Sequence, residues 1–386
     1  MIFSEFLRSN DAPKLERETS FEFLDRSSHL AIARVRGLIT QSLAEYPTNE
    51  VDELVARIQS RDDVAFRSAT FELLLHEALR RLGYLLQPHP ELPNGAPTRP
   101  DFLVEDHDGN ALYLEAVLAA TRDGTDRACE AMKSTTLDAL SQAPHNSFRV
   151  DIDSEGDPTT QPSSRDLIRR THDWLNSLDP DALLQLIAER GFDTVPEFVW
   201  THEAWTVTLR PIPIRKEKRG SARALVGAFG GEGRMIDDWT PLRDAVRKKG
   251  RKYGDLDRPF VVAVNARSFS LDPIDEMQAL FGQEQYVEYV DRPDIGGHLS
   301  RVPNGAWVGH SGPQSRRVSG AWFFNDLTPY TVAVRRSTLY VNPWSYHDVP
   351  QSLLRFPHAR VVDGRIQRSD GLALRDIFNL PESWPE

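Results

Sequence analysis

With 386 residues, 40% of them hydrophobic and 27% charged, the chain has material for two to three domains of about 100–200 residues, which excludes general disorder. Lys and Arg number 46 against 57 Asp and Glu, a net charge of -11, so coating nucleic acid through bulk charge is excluded while a locally basic groove is not. One cysteine, Cys129, excludes a disulfide framework and any four-cysteine zinc site. No apolar run approaches the roughly 18–20 residues that span a bilayer, and the opening residues MIFSEFLRSNDAPKLERETSFEF carry acidic groups and no signal-peptide core. These features predict a soluble, cytoplasmic protein with no membrane partner.

Residues 1–62 predict a helical extension, with HLAIARVRGLITQSL as its clearest apolar stretch. In FRSATFELLLHEALRRLGY, residues Phe71, Leu74, Leu75, Ala78, Leu79 and Leu82 recur on one face of a 3.6-residue period, and Gly83 supplies the stop. Three strands follow, YLLQPHP, DFLVED and ALYLEAVLA, the last two joined by the turn DHDGN. After residue 119 come a helix over 120–142, a polar loop within NSFRVDIDSEGDPTTQPSS, and the helices RDLIRRTHDWLNSL and PDALLQLIAERG. WTVTLRPIPI alternates like a strand broken by Pro211 and Pro213, and the basic, glycine-rich RKEKRGSARALVGAFGGEGR reads as a mobile loop. DWTPLRDAVRKKGRKYG predicts a helix capped by Asp238 and ended by Gly254. PFVVAVNARSF is a continuous apolar strand of the buried, parallel kind. Residues 270–350 form a mixed region rich in Gly, Pro and Trp, and the last 35 or so read as a loosely packed tail. The order predicts an α/β core over 63–268, interrupted by a large helical insertion at about 120–238 and followed by a C-terminal α+β region over 269–386.

Two carboxylates sit where chemistry would use them. Asp101 follows Pro100 at the start of one strand and Glu115 lies in the middle of the next, so antiparallel pairing can bring them to one end of a sheet. Two hard oxygen ligands close together are what Mg²⁺ needs beside a phosphate, where the ion activates water and neutralises charge. Glu72 on the preceding helix lies at the border of its apolar face and can reach the same edge, whereas Glu77 points away. His76, one turn after Glu72, can contact the same site. The alternatives are ordinary: Glu115 paired with an arginine such as Arg99, and His76 a partly exposed helix residue.

Glu72 in a helix, then RPDFLV, then LYLEAV resembles the PD-(D/E)xK nuclease superfamily, the restriction-endonuclease-like fold, over about residues 66–118 and 239–268. The resemblance implies an αβββαβ core with a mixed sheet and Mg²⁺- or Mn²⁺-dependent endo- or exonucleolytic hydrolysis of nucleic acid, DNA more than RNA, in restriction, repair or defence. It implies that Asp101 and Glu115 are metal ligands, that the Ala116 carbonyl completes the shell, and that Glu72 assists through water. The motif's lysine position holds Val117, which can neither orient water nor stabilise an oxyanion. Lys249 and Tyr253, four residues apart, resemble the QxxxY element of RecB-type nucleases with Lys in place of Gln. Lys249 is therefore the expected replacement, with Lys252 and Lys133 behind it. Val117 also leaves a second expectation, a nuclease fold kept for binding nucleic acid or protein without cleavage. A homodimer is compatible with both.

Arg215, Lys216, Lys218 and Arg219, together with Lys248, Lys252 and Tyr253, are candidates for a phosphate-binding groove, the alternative being a solvated loop and helix face. GAFGGEG at 227–233 is not a phosphate loop, GHSGP at 309–313 lacks the spacing of a nucleophile elbow, and the eleven histidines show no zinc-ligand spacing. Trp307, Trp322, Trp344, Tyr330, Tyr340 and Tyr346 could stack on bases but more simply build a core.

Overall fold

The chain opens with four helices, α1 (Ser20–Arg26), α2 (Leu30–Ala44), α3 (Val51–Ile58) and α4 (Asp63–Arg81), followed by β1 (Leu85–Pro88), β2 (Phe102–Glu105) and β3 (Ala111–Ala119). An insertion then contributes α5 (Arg127–Gln142), β4 (Phe148–Glu155), α6 (Ser164–Asn176), α7 (Pro180–Arg190), β5 (Phe198–His202), β6 (Trp205–Pro213) and β7 (Val226–Phe229). The return comprises α8 (Trp239–Gly250), β8 (Phe260–Ala266), α9 (Pro273–Phe281), β9 (Gly320–Asn325), β10 (Ser337–Val341), β11 (His358–Val362), β12 (Arg365–Ser369) and α10 (Leu374–Phe378). This computed structural model describes residues 2–15, 17–119, 127–216, 219–220, 223–229, 239–266, 271–287 and 298–386. The chain divides into two units, one of Met1–Ala12, Thr19–Arg122 and Asp237–Glu386, the other of Pro13–Glu18 and Asp123–Ile236.

The first unit is built on a mixed sheet of eight strands in the order β1-β2-β3-β8-β9-β10-β11-β12. Its centre is set by β8, whose residues FVVAVNA are buried throughout and pair in parallel with β3 on one side and β9 on the other. Each fully buried valine there is worth about 1.5–3 kcal/mol over an exposed one, so a charge at Val262 would break the sheet at its middle. Helix α4 packs on one face: Phe71, Leu74, Leu75 and Leu79 join Val261, Ala263, Trp322 and Phe324 in one apolar cluster. On the other face Leu242 and Val246 of α8 and Leu280 of α9 join Val262, Val264, Phe323 and Tyr340. The Asp62 carboxylate caps α4 by accepting from the Val64 N–H at 2.9 Å.

The β2–β3 hairpin is fixed by Asp106, whose Oδ1 accepts from the backbone N–H groups of Asp108 and Asn110 at 3.0 and 2.9 Å. Gly109 takes φ 80° in that turn, a conformation glycine adopts without cost. Burial is opposed by hydrogen bonds that hold the Asp106 carboxyl down at about 2. The turn locks the register Phe102↔Leu114, Leu103↔Tyr113 and Val104↔Leu112. One residue beyond that ladder, Asp101 stands opposite Glu115.

Several expectations change. Strand β6 runs unbroken through Pro211 to Pro213, and Val226–Phe229, within the segment expected as a mobile loop, is the strand β7. The inserted unit carries its helices and also a four-stranded sheet, β5-β6-β4-β7, because RVDID in the segment read as a polar loop alternates buried and part-exposed residues and pairs along β6. Residues 358–369, expected in a loose tail, form the last two strands of the main sheet, β11 and β12. The helix expected to run to Gly254 stops at Gly250, so Lys252 and Tyr253 lie in the turn after it; the cap expected at Asp238 lies outside the described residues. Trp307, Trp322 and Tyr340 are core residues, whereas Tyr346 is exposed under the Arg316 guanidinium. Among the described residues no helix is long and apolar enough to cross a membrane.

Candidate functional site

Glu115 enters the site from the middle of β3, and its side chain is 1% exposed. Such burial of a carboxylate is costly unless charge and hydrogen bonds answer it. Here Oε1 accepts from the ammonium groups of Lys249, at the end of α8, and Lys252 at 3.3 Å, while Oε2 accepts from the Tyr253 hydroxyl. Burial and the Glu115 charge push the Tyr253 phenol far above its ordinary value, so it remains a donor. Tyr253 is placed further by its contact with the Arg99 carbonyl at 3.0 Å. Arg99 itself turns its guanidinium to Glu91 at 2.8 Å, so the ordinary pairing considered for Glu115 does not form.

Asp101 is part-exposed, and its Oδ2 accepts from the Ala116 N–H at 2.6 Å. No lysine or arginine forms an ion pair with it among the described residues. Burial first, then the charges of Glu115 and Glu72, push its carboxyl up to about 8. The Asp101–Glu115 pair is thus short of positive charge on the Asp101 side, and its donors are hard oxygens of the kind Mg²⁺ and Mn²⁺ take.

Glu72 is 2% exposed on α4 and already held, by the Tyr46 hydroxyl at 2.9 Å and by Arg57 of α3. Arg57 also contacts Glu53 at 3.5 Å. Glu77 pairs with Arg80 and Arg81. His76 is buried rather than part-exposed, 4.6 Å from the Tyr46 ring and 5.9 Å from that of Phe102, and burial lowers it to about 4. Val117 lies two residues after Glu115 on the same sheet face, packed with the α8 cluster.

A second donor group adjoins this one. Glu50, Glu53 and His89 each offer one ligand atom, all within 4.8 Å of one another, and among the described residues they are the one group of three or more that meets this limit. Glu53 is exposed and the other two are part-exposed, with His89 Nδ1 3.2 Å from Glu50 Oε2. His89 has a left-handed φ of 45°, and its N–H donates to the Asp101 carbonyl at 3.0 Å. The triad can ligate a divalent cation. The sequence reading missed it, together with Tyr46 and Arg57, because its members come from two elements some 36–39 residues apart with no motif spacing.

The remaining candidates divide between the units. Lys248 is exposed on α8. Arg215 and Lys216 are exposed on the inserted unit, where Arg219 is tied to Asp181 at 2.6 and 3.0 Å, and Lys218 lies outside the described residues. Lys133, a reserve for the motif lysine, belongs to the inserted unit and pairs with Asp157.

The molecule is therefore an α/β protein, a central mixed sheet flanked by helices, with a candidate three-ligand metal site. No protein-family model, curated protein or solved structure matches the chain.

Proposed function

We propose that the protein is a metal-dependent nuclease of the PD-(D/E)xK, restriction-endonuclease-like kind, hydrolysing nucleic-acid phosphodiesters, DNA before RNA. The observation that carries this reading is the meeting of Lys249 from α8 with Glu115, opposite Asp101, beside a valine at the motif's lysine position. The element order α4-β1-β2-β3-α8-β8 supports the αβββαβ core that the motif requires.

Asp101 and Glu115 would hold Mg²⁺ or Mn²⁺, with the Ala116 carbonyl, which shares its strand edge with the N–H bonded to Asp101, as a third oxygen. When bound, the ion supplies a Lewis acid that activates water and neutralises charge on the scissile phosphate. Lys249 brings an ammonium to the developing oxyanion, the role a side chain at Val117 cannot fill. Tyr253 orients Glu115, and Lys248 and Lys252 provide charge for neighbouring phosphates. Glu72, held by Arg57, keeps a negative charge near Asp101 that favours the protonated Asp101 carboxyl until a cation arrives.

One observation favours a second reading, a binding module without catalysis: both Glu115 oxygens already have donors from the chain, so the carboxylate is satisfied without an ion. Cleavage of labelled single- and double-stranded DNA with Mg²⁺ or Mn²⁺, run beside Glu115→Ala, separates the two. The nuclease reading expects cutting that falls on the order of 10²–10³-fold or more in the variant. No cutting by either protein, with no calorimetric heat from the cations, would leave the binding module.

A further inference from the structure

A cavity of about 380 Å³ opens at the edge of the main sheet between the start of α9 and the ends of β9 to β12. That volume lies in the range of small-molecule pockets. In a chain of net charge -11, its wall carries four arginines (335, 336, 368 and 375) against two carboxyl groups, Glu276 and Asp370. Arg336 and Arg368 form no ion pair among the described residues; Arg368 donates instead to the Tyr340 hydroxyl and the Pro273 carbonyl. Two guanidinium groups at a cavity mouth that feel the buried Glu276 only at a distance and contact no carboxylate among the described residues leave room for an anion, and the planar fork suits phosphate.

The inner wall asks for something different. Glu276 is 8% exposed, accepts from the Tyr340 hydroxyl at 2.9 Å, and has no ion-pair partner among the described residues. His358 is 7% exposed; its Nδ1 sits 2.9 Å from the Phe356 carbonyl, which can only accept, so Nδ1 carries a proton and, in the neutral ring, Nε2 is an acceptor. That Nε2 and the Asn325 Oδ1 are both buried without a hydrogen-bond partner. Leu271, Pro273 and Pro357 add apolar wall. Buried acceptors left unpaired cost free energy, which a donor-bearing ligand recovers once the two side chains turn toward the cavity that their residues line.

We propose that this cavity binds a nucleoside monophosphate, the phosphate on Arg336 and Arg368 and the amino-bearing base toward Glu276, Asn325 and His358. A phosphate at one end, a flat ring and N–H donors at the other match the division of the wall into a basic mouth and an acceptor-rich interior. Burial lifts Glu276 to about 7, so near neutrality it can donate as well as accept to a ring that presents both. The proposal does not rest on cleavage at Glu115.

Titration calorimetry of the full chain with AMP, GMP, CMP and inorganic phosphate tests it. The expected result is binding of at least one amino-bearing nucleotide below about 1 mM, with inorganic phosphate at least about tenfold weaker. Arg336→Met, an exposed change that leaves the core alone, weakens it about tenfold, as does Glu276→Gln, while Glu115→Ala leaves it unchanged. Failure of every nucleotide to bind, phosphate binding as tightly as the nucleotides, or sensitivity to Glu115→Ala in place of Arg336→Met would each overturn the proposal.

Discussion

Glu115 and Glu276 are both buried, and each accepts from a tyrosine hydroxyl, Tyr253 in one case and Tyr340 in the other. One sheet face links them, Glu115 from a strand and Glu276 from α9 through Tyr340: Glu115, Val262, Ala321 and Tyr340 follow one another across β3, β8, β9 and β10 in register. Three strand spacings separate the first from the last, about 14 Å. The difference lies in the cations. Two lysines contact Glu115, whereas the guanidinium nearest Glu276 stops at the tyrosine, and burial then pushes that carboxyl up to about 7. A tyrosine alone satisfies the geometry of a buried carboxylate; only direct contact with a cation answers the loss of water around its charge.

The largest test of this contrast is to move the cation. Lys249→Ala should lower DNA cleavage on the order of 10²–10³-fold, and adding Val117→Lys, on the same sheet face, should restore most of it. Failure of the double variant while its melting temperature matches the wild type would break the assignment of Lys249 to the motif role. A smaller effect is expected at the tyrosine. Tyr253→Phe removes a donor from Glu115 inside the sheet and should cost about 2–3 kcal/mol in urea denaturation, with the lysine contacts retained.

The smallest effect concerns Glu276. Its value in the fold, about 7, lies above the ordinary 4.5, so folding favours the protonated acid. The contribution of this group to wild-type stability should be full below pH 4.5 and be lost as the pH rises through 7. Tyr340, Arg368 and Arg336 oppose the shift and Asp272 adds to it. Glu276→Gln should remove that portion of the slope in denaturation curves taken from pH 4 to 8. A slope identical to wild type would show that Glu276 has a cation in solution after all.

Much of the Asp101–Glu115 geometry was legible because it depends on local signals: a Pro-Asp pair opening a strand, an Asp-Gly turn fixing the hairpin, and alternation that sends Glu115 and Val117 to one face. The contact of Lys249 with Glu115 was legible through the lysine's spacing to Tyr253, although the helix ends three residues before the tyrosine. The Glu50–Glu53–His89 group and the Arg57–Glu72 pair were not, since they arise from how α3 packs beside α4 and β1, and no period in the sequence encodes that contact. Nor did the sequence reveal that residues 320–369 extend the sheet, because pairing of β9 with β8 joins segments more than 50 residues apart and depends on burial across the whole face.

The contacts of Lys249 and Lys252 with Glu115 have a consequence for the life of the chain before any ion reaches it. The protein carries its own counter-ions, so the sheet can close and stay closed in a cation-poor solution, unlike small domains whose folding waits for metal. On the proposed nuclease reading, a divalent ion arriving later would have to compete with an ammonium already in position. Its occupancy would then be a graded response to ambient cation, imposed on a scaffold that does not need it to stand.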